Sequence, residues 1–311
     1  MEGMIKMKVI VFGGTGFIGS HVVEQLQLAG HHVTTAVRTT SNTTFLKSLG
    51  VNIVRIDFSD PGAIGKAMDG KDVVYNCTAD PNQNMPSDLD APVEIKLTKT
   101  LIETAALHGV SRFIQLSTIV IYDLKSNEPI DESYISQPEY PIQKVAMERE
   151  RIVKEIGKNA GIETIILRPA STIGARDTKS FFSGLFTAHT HDQFPIVGEG
   201  DRKVSLIDTR DIGRAMEFLG VYNKPKDDKG VYLVKGFDVT WYELKKEMDR
   251  ITGRNAIVNP ISTSEQTFMI KNFSVNRIWN DNKLRKLGFQ TRYSLSDAVG
   301  TSVHDLLNRA E

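Results

Sequence analysis

The chain has 311 residues, 40% of them hydrophobic, so it can bury a sizeable core, and a disordered or fibrous protein is excluded. Its 38 lysines and arginines balance its 38 aspartates and glutamates, so no net charge attracts a nucleic acid or an anionic membrane, and we expect a small-molecule partner. The first residues carry no apolar signal stretch, and no apolar run approaches the roughly 20 residues of a membrane span. We therefore expect a cytoplasmic location.

Short β-rich apolar runs alternate with segments of helical period through the first two thirds of the chain, which is typical of βαβ units and a mostly parallel sheet. The predicted strands are residues 8–12, 32–37, 52–56, 72–76, 112–116 and 163–167. The predicted helices between them are residues 18–29, 42–49, 61–68, 93–108 and 140–158. Six strands with crossover helices predict an α/β fold with a doubly wound parallel sheet, the Rossmann arrangement.

The pattern loosens after residue 170. Residues 171–200 hold glycines, aromatics and histidines without a clear period, which indicates loops. Further strands are predicted at 204–207 and 231–234, with a helix at 212–219 that Asp211 is placed to cap, and later helices at 241–252 and 295–309. We therefore expect a Rossmann domain at residues 1–170 and a smaller C-terminal region at 171–311. Strands 204–207 and 231–234 are candidates to return to the first domain.

A glycine-rich segment, residues 13–19, joins the first predicted strand to the first predicted helix with the spacing Gly-x-x-Gly-x-x-Gly. Glycines suit this position because the turn is tight, the backbone must approach a pyrophosphate closely, and the helix must pack near the sheet. The free N–H groups and the dipole of the following helix favour phosphates. In this context the motif predicts an NAD(P)-binding domain at residues 1–170. The predicted binding residues of the loop are Gly13, Thr15, Gly16, Phe17, Ile18 and Gly19.

The end of the second predicted strand bears on the choice of cofactor. NAD enzymes place an acidic residue about 20 positions after the glycine loop to bind the ribose 2′-hydroxyl, and that carboxylate would repel a 2′-phosphate. This chain has no carboxylate there; Arg38 offers a guanidinium for the phosphate, with Thr39 and Ser41 as hydroxyl donors. We therefore favour NADP over NAD, with a solvated strand-end Arg38 as the alternative. Asp57, after the third strand, is a candidate to bind the adenine amino group or, alternatively, a turn residue.

These motifs and later ones resemble the extended branch of the short-chain dehydrogenase/reductase superfamily, the NAD(P)-dependent epimerase/dehydratase family with its dihydroflavonol-reductase-like enzymes. The resemblance covers nearly the whole chain. It implies that Thr78 and Ala79, after the fourth predicted strand, contact the cofactor. It also implies a substrate-binding role for residues 171–311. The matching positions are residues 13–19, Asp57, residues 76–79, 117–122 and 140–144, Arg168, Pro169, residues 198–200 and Asp211.

The chemistry of this family requires a Tyr-x-x-x-Lys pair. Tyr140 and Lys144 lie one turn apart on a predicted helix, so the ammonium can lie near the phenol, favour the phenolate and make the tyrosine an acid/base near neutral pH. The resemblance implies that Lys144 also binds the nicotinamide ribose and that Thr118 holds the substrate oxygen during hydride transfer. Tyr222 and Tyr242 also have a lysine four residues later, but the first pair straddles a proline in a loop and the second is far from the glycine-loop unit.

Departures from the family pattern reduce the number of reactions that we expect this chain to catalyse. Nucleotide-sugar dehydratases carry Asp and Glu after the threonine for water elimination, whereas this chain has Ile119 and Val120, which argues against dehydration. Nucleotide-sugar epimerases carry an asparagine and an arginine that contact the diphosphate, whereas Ser171 and Val204 stand at the equivalent positions. The candidate substitutes, both imperfect, are Arg176 and Arg202.

The leading hypothesis is an NADP-dependent oxidoreductase that reduces a carbonyl, or oxidises the alcohol, of a small and fairly apolar substrate. A nucleotide-sugar epimerase with tightly bound NAD is the second hypothesis. A non-catalytic dinucleotide-sensing protein is the third, and the acid/base residues argue against it. An aromatic-rich set is a candidate lining of the substrate pocket or, alternatively, part of the core. The set consists of Phe181, Phe182, Leu185, Phe186 and Phe194.

Other features receive structural interpretations. No carboxylate or cysteine that could act as a further metal ligand is evident beside His189 and His191, so no metal site is predicted. Cys77 is the single cysteine, which excludes an internal disulfide, and we interpret it as a packing residue. The charged residues between 148 and 155 are interpreted as a mostly solvated helix face. The resemblance leaves a homodimer through helices 93–108 and 140–158 and a monomer equally open.

Overall fold

The computed structural model describes residues 6–79, 93–123, 125–126, 128–223, 225, 228–262 and 273–309. Their strands are β1 (Lys8–Phe12), β2 (His32–Val37), β3 (Asn52–Arg55), β4 (Val73–Asn76), β5 (Arg112–Leu116), β6 (Glu163–Pro169), β7 (Ser171–Ile173), β8 (Gln193–Val197), β9 (Lys203–Asp208), β10 (Val231–Val234), β11 (Phe237–Thr240) and β12 (Ile257–Ile261). Their helices are α1 (Phe17–Leu28), α2 (Thr44–Ser48), α3 (Pro61–Met68), α4 (Val93–Leu107), α5 (Pro141–Ala160), α6 (Phe181–Thr190), α7 (Thr209–Val221), α8 (Trp241–Thr252), α9 (Asn282–Lys286) and α10 (Leu295–Asn308). A short 3-10 helix lies at Ile119–Ile121.

Seven strands form the central sheet, in the order β10, β6, β5, β4, β1, β2, β3. The strand β1 pairs in parallel with β2 and β4, and the pairs β2 with β3, β4 with β5 and β5 with β6 are also parallel. From β1 the chain moves outward to β3 on one side and then, through β4, to β6 on the other, which is the doubly wound arrangement. The predicted α/β fold is therefore confirmed.

The local sequence explains why these elements form. Val9 to Phe12 of β1 are fully buried, as expected of a parallel strand that helices cover on both faces. α3 begins at Pro61, and the preceding Asp60 side chain accepts hydrogen bonds from two N–H groups of the first turn. α5 ends where Gly161 takes a φ of +72°, which glycine adopts without strain.

The chain forms two compact units. The described parts of the first lie within Met1–Ile121, Ser136–Arg168 and Ile212–Tyr232, and those of the second within Tyr122–Ile135, Pro169–Asp211 and Leu233–Glu311. The second unit contains a three-stranded sheet in the order β11, β9, β7 and a parallel pair of β8 and β12. Of the two late strands predicted from the sequence, the one at 204–207 is part of β9 in the three-stranded sheet. The one at 231–234 is β10 of the central sheet.

The prediction that residues 171–200 form loops is wrong. They contain β7, α6 and β8, and four members of the aromatic-rich set are core residues of the second unit. Phe182 and Phe194 are fully buried, and Phe181 packs at the edge of this core against Trp241 and Phe273. The interpretation of this set as a pocket lining therefore gives way to the alternative, a hydrophobic core.

Asp211 does not cap the helix it was expected to cap. The helix α7 begins at Thr209, and the side chain of Asp208 accepts the N–H of Arg210 at 2.8 Å in its first turn. Asp211 is fully buried and accepts the N–H of Arg292 at 3.0 Å. It therefore ties the start of the helix to the segment that precedes α10.

Candidate active site

The glycine loop leaves β1 at Phe12 and enters α1 at Phe17. Gly13 has a φ of +83°, and a Cβ there would lie 2.5 Å from the carbonyl oxygen of Cys77. A Cβ on Gly19 would collide with the carbonyl oxygen of Gly13. Gly16 is exposed, and within the described part of the chain a Cβ on it would contact that oxygen alone, at 3.2 Å. The loop therefore needs Gly13 and Gly19 for its own packing, whereas Gly16 keeps an open surface at the start of α1.

The first turn of α1 has donors without acceptors. Gly16, at the N-cap, supplies no side-chain hydrogen bond. Within the described part of the chain, the N–H groups of Phe17, Ile18 and Gly19 have no acceptor, while the N–H of Ser20 already bonds to the carbonyl oxygen of Gly16 at 2.9 Å. Free N–H groups at the positive end of a helix dipole are a natural site for a phosphate.

Arg38 and Asp57 follow the two strands on one side of β1. Arg38 is exposed, and no described residue pairs with its guanidinium. Asp57 Oδ1 accepts hydrogen bonds from the N–H and the hydroxyl of Ser59, both at 2.8 Å, and these bonds hold the pKa of Asp57 below its usual value. The structure thus gives Asp57 the turn role, and its second carboxylate oxygen is the one available to an adenine amino group.

A buried polar network fixes the chain after β4. Asn76 donates to the side chain of Gln115 at 2.8 Å, and its Oδ1 accepts from the N–H and the hydroxyl of Thr78 at 3.1 and 2.7 Å. Arg149 on α5 donates to the carbonyl oxygen of Thr78 at 2.8 Å. Thr78, which precedes the exposed Ala79, is therefore held on its N–H and hydroxyl by Asn76 and on its carbonyl oxygen by Arg149.

Thr118 follows β5 and immediately precedes the 3-10 helix. Its Oγ1 accepts the N–H of Val120 at 3.1 Å. Because that contact uses an oxygen lone pair, the hydroxyl proton is left to donate, and no described residue accepts it. A free hydroxyl donor in a fixed orientation suits contact with a substrate oxygen.

Tyr140 is the N-cap residue of α5, directly before Pro141. The side-chain oxygen of Gln143 accepts the N–H groups of Glu139 and Tyr140 at 2.8 and 2.9 Å, so the backbone of the tyrosine is fixed from within the helix. Lys144 lies one turn further along and is exposed, and among the described residues its ammonium has no partner. α5 packs against the 3-10 helix Ile119–Ile121, which brings the helix to the element that follows Thr118.

A buried ion pair connects α5 to the ends of two strands. The carboxylate of Glu150 accepts hydrogen bonds from Arg168 at 2.8 and 2.6 Å and from the hydroxyl of Ser117 at 2.6 Å. Ser117 lies between β5 and Thr118, and Arg168 lies in β6. This contact therefore holds the helix of Tyr140 and Lys144 against the strand end that carries Thr118.

The predicted residues form a row. The carboxyl ends of parallel strands meet at one edge of a sheet, and the strands involved are neighbours in the order β5, β4, β1, β2, β3. Neighbouring strands lie roughly 4.8 Å apart, so the row spans about 19 Å, a length that suits an extended dinucleotide. The helix α5, which carries the predicted acid/base residue Lys144 and begins after Tyr140, packs at its β5 end. The positions along the row, from that end, are Thr118, then Thr78 and Ala79, then residues 13–19, then Arg38, then Asp57.

One feature was misinterpreted from the sequence. Arg149 and Glu150 are not part of a solvated face, because they bond to Thr78 and to Arg168, whereas the neighbouring Arg151 does lie in surface ion pairs. Their helical spacing resembles that of exposed charges, and their partners are distant in sequence. Arg55 is likewise a charged strand-end residue whose contacts the sequence does not reveal.

His189 and His191, the two histidines considered as metal ligands, lie at the C-terminal end of α6. His189 is fully buried and bonds to Asp249 at 2.8 Å, and the exposed His191 bonds to the carbonyl oxygen of Thr187. The described residues contain no cluster of three or more histidine, cysteine, aspartate or glutamate side chains that could hold a metal ion. Among them, no helix is both long enough and apolar enough to cross a membrane.

Known proteins are similar to this chain over most of its length. Residues 9–234 match the model of the NAD dependent epimerase/dehydratase family. The chain is 28% identical over 253 residues to cinnamoyl-CoA reductase 1 of Oryza sativa subsp. japonica, covering 74% of this chain and 72% of that protein. It is 26% identical over 265 residues to 2′-dehydrokanamycin reductase of Streptomyces kanamyceticus, covering 82% and 69%. The structure of UDP-glucuronic acid 4-epimerase from Bacillus cereus in complex with NAD matches with a TM-score of 0.82 at 22% identity, over 98% of this chain and 100% of that one.

The fold and the family match define an NAD(P)-dependent enzyme of the extended short-chain dehydrogenase/reductase type, whose members are reductases, dehydratases and epimerases. The chain belongs to the NAD-dependent epimerase/dehydratase family. The family predicted from the sequence is confirmed, and so is the class of enzyme, an oxidoreductase or epimerase that uses a nicotinamide dinucleotide.

Proposed function

We propose that the chain is an NADP-dependent oxidoreductase that reduces a carbonyl, or oxidises the corresponding alcohol, on a small molecule. The first unit binds the cofactor, and residues of the second unit contribute to substrate binding. The observation that carries the proposal is the row of side chains along one edge of the central sheet. It has the hydroxyl of Thr118 at one end and the guanidinium of Arg38 near the other, and no described residue accepts from the hydroxyl or pairs with the guanidinium.

The residues at this edge fit the parts of a dinucleotide. The unfilled N–H groups of α1 and the open surface at Gly16 suit the pyrophosphate. Arg38 suits a 2′-phosphate, because a guanidinium binds phosphate through charge-assisted hydrogen bonds. Asp57 lies where the adenine would extend, and Thr78 and Ala79 lie between the loop and the acid/base residues. Lys144 binds the nicotinamide ribose.

The chain's own side chains supply the proton chemistry. Bound NADPH supplies the hydride that reaches the carbonyl carbon. Tyr140 donates its phenolic proton to the carbonyl oxygen, so that the oxygen becomes a hydroxyl and the tyrosine a phenolate. Lys144 stabilises that phenolate by its charge. Thr118 holds the same substrate oxygen through its free hydroxyl and opposes the build-up of negative charge there.

A second candidate is a nucleotide-sugar epimerase that retains NAD. The family description and the fold of the epimerase from Bacillus cereus favour it. Ser171 and Val204 oppose it, because they stand where the resembling epimerases carry their diphosphate-binding asparagine and arginine. The names of the two relatives, both reductases, favour the first candidate.

The deciding experiment has two parts. Purified protein is denatured and its supernatant assayed for NAD and NADP, and then NADPH oxidation is followed across aldehydes, ketones and nucleotide sugars. Substrate-dependent NADPH consumption without retained NAD supports the reductase. Retained NAD together with interconversion of a nucleotide sugar overturns it in favour of the epimerase.

A further inference from the structure

The turn after β2 is held by one side chain from the neighbouring strand. Arg38 to Ser41 form a β-turn closed by the N–H of Ser41 and the carbonyl oxygen of Arg38 at 3.1 Å. The guanidinium of Arg55, the last residue of β3, donates to the carbonyl oxygens of Arg38, Thr39 and Ser41 at 3.2, 2.6 and 3.3 Å. It also donates to the hydroxyl of Thr43 at 3.1 Å. One guanidinium therefore spans the whole segment.

These contacts fix the direction in which the backbone C=O and N–H groups of the turn point. In a trans peptide the N–H points opposite to the preceding C=O. Because the carbonyl oxygens of Arg38 and Thr39 face Arg55, the N–H groups of Thr39 and Thr40 are directed away from it. No acceptor for these two N–H groups is present among the described residues. The turn thus presents donors on the side opposite its carbonyl oxygens, as backbone anion sites do.

We propose that Arg55 is a positioning residue that prepares this turn for the 2′-phosphate of NADP. Arg55 does not bind the phosphate itself, because its two terminal nitrogens are already shared among three carbonyl oxygens and a hydroxyl. It keeps the partly negative carbonyl oxygens away from the phosphate and leaves the N–H groups of Thr39 and Thr40, with the guanidinium of Arg38, to receive it. This inference rests on the proposed preference for NADP.

The experiment compares the dissociation constants of NADPH and NADH, measured by titration, in the wild type and in Arg55→Ala, Arg38→Ala and Arg151→Ala. We expect Arg55→Ala to weaken NADPH binding about tenfold, as for the loss of one well-placed charge-assisted contact, and to leave NADH binding unchanged. Arg55→Lys keeps the charge but lacks the fork, so an intermediate loss is expected. Arg151, an exposed arginine in surface ion pairs, is the matched control and should alter neither constant.

The outcomes distinguish the proposed role of Arg55 from the proposed preference for NADP on which it rests. Equal wild-type affinities for the two cofactors overturn the NADP preference and the inference together. A wild type that prefers NADPH, with the preference lost in Arg38→Ala but kept in Arg55→Ala, overturns the inference alone. Equal weakening of NADPH and NADH in Arg55→Ala reveals a general structural role and also overturns it. If Arg55→Ala does not fold, Arg55→Lys decides, since an unchanged NADPH preference in that variant contradicts the inference.

Discussion

Glu150 and Arg168 face each other as a buried pair, with side chains 3% and 8% exposed and their closest atoms 2.6 Å apart. The pair joins α5 to β6, and Ser117 brings the end of β5 into the same contact. Three elements that carry or flank the proposed acid/base residues are therefore held together by one carboxylate. A buried charge that loses its partner is costly, which makes this contact testable.

Replacing Glu150 with Gln keeps the shape of the side chain but leaves the guanidinium of Arg168 buried without its counter-charge. We expect a loss of about 3–5 kcal/mol in the free energy of unfolding, measured by urea denaturation. Glu148→Gln is the control, because Glu148 forms a surface pair with Arg151, and such pairs contribute about 0–1 kcal/mol. Equal stability losses in the two variants would mean that burial does not set the strength of the Glu150 pair.

The environment of the Glu150 carboxylate predicts that the free energy of unfolding depends on pH. Burial alone raises the pKa of Glu150, but the hydrogen bonds and the charge of Arg168 outweigh burial and hold the pKa below its usual 4.5. A carboxylate whose pKa is lower in the folded state stabilises the fold above its unfolded pKa, and this contribution is lost as the pH falls through the folded value.

The measurement is the free energy of unfolding at a series of pH values from neutral down to acid. The wild type should lose stability more steeply than Glu150→Gln at pH values below the usual value of 4.5, so that the two curves converge. Other carboxylates titrate in both proteins and cancel in the difference. Parallel curves at acid pH would contradict a depressed pKa of Glu150.

Gly16→Val tests the glycine loop as a ligand site rather than a structural turn. Among the described residues, a Cβ at this position contacts the carbonyl oxygen of Gly13, at 3.2 Å, and no other atom within 4 Å, so the fold should survive while the space for the pyrophosphate is filled. We expect binding of NADPH and NADH to be lost, with an unchanged circular dichroism spectrum. Gly19→Val is the contrast, because its Cβ would collide with the Gly13 carbonyl oxygen and should destabilise the fold itself. A folded Gly16→Val protein with normal cofactor affinity would remove the loop from the site.

Much of the first unit could be predicted from the sequence. Parallel strands covered on both faces are rich in apolar and β-branched residues, and β1, β2 and β5 have the predicted bounds. Most of the candidate site residues follow from the same pattern, because the glycine loop, Arg38, Thr78 and Thr118 stand shortly after strand ends. Tyr140 and Lys144 instead follow from their spacing at the start of a predicted helix. The order of the site residues along the sheet depends on the pairing of strands, which the pattern of a single strand does not contain.

The contacts that support the site could not be predicted in this way. Glu150 lies on a helix and has the spacing of a solvated charge, and Arg55 ends a strand, where the sequence does not indicate its contacts. Their partners, the turn after β2 and Arg168, are defined by tertiary packing. Residues 171–200 were missed for another reason, since α6 is a ten-residue helix that is apolar enough to hide its period.

Tyr140→Phe tests the acid/base assignment, because the change removes the phenolic oxygen and keeps the ring. The backbone of residue 140 is held by the side chain of Gln143, which the substitution leaves intact, so folding and NADPH binding should survive. Turnover should fall by roughly 10²–10⁴, the usual contribution of a positioned general acid. The measurement is the rate of NADPH oxidation with a substrate found in the carbonyl screen, alongside the dissociation constant of NADPH.

Two other tyrosines with a lysine four residues later serve as matched controls. Tyr222 stacks on Phe218, and Tyr242 is 48% exposed on α8, so Tyr222→Phe and Tyr242→Phe should leave turnover near that of the wild type. Lys144→Met should lower turnover and also weaken NADPH binding, because its ammonium is assigned to both the phenolate and the ribose. The four variants together test whether the place of the tyrosine in the fold, rather than the Tyr-x-x-x-Lys spacing, determines activity. Among the tyrosine variants, only the one at residue 140 should lose turnover. A Tyr140→Phe enzyme that keeps most of its turnover would leave this chain with the fold of its family and a different source of protons.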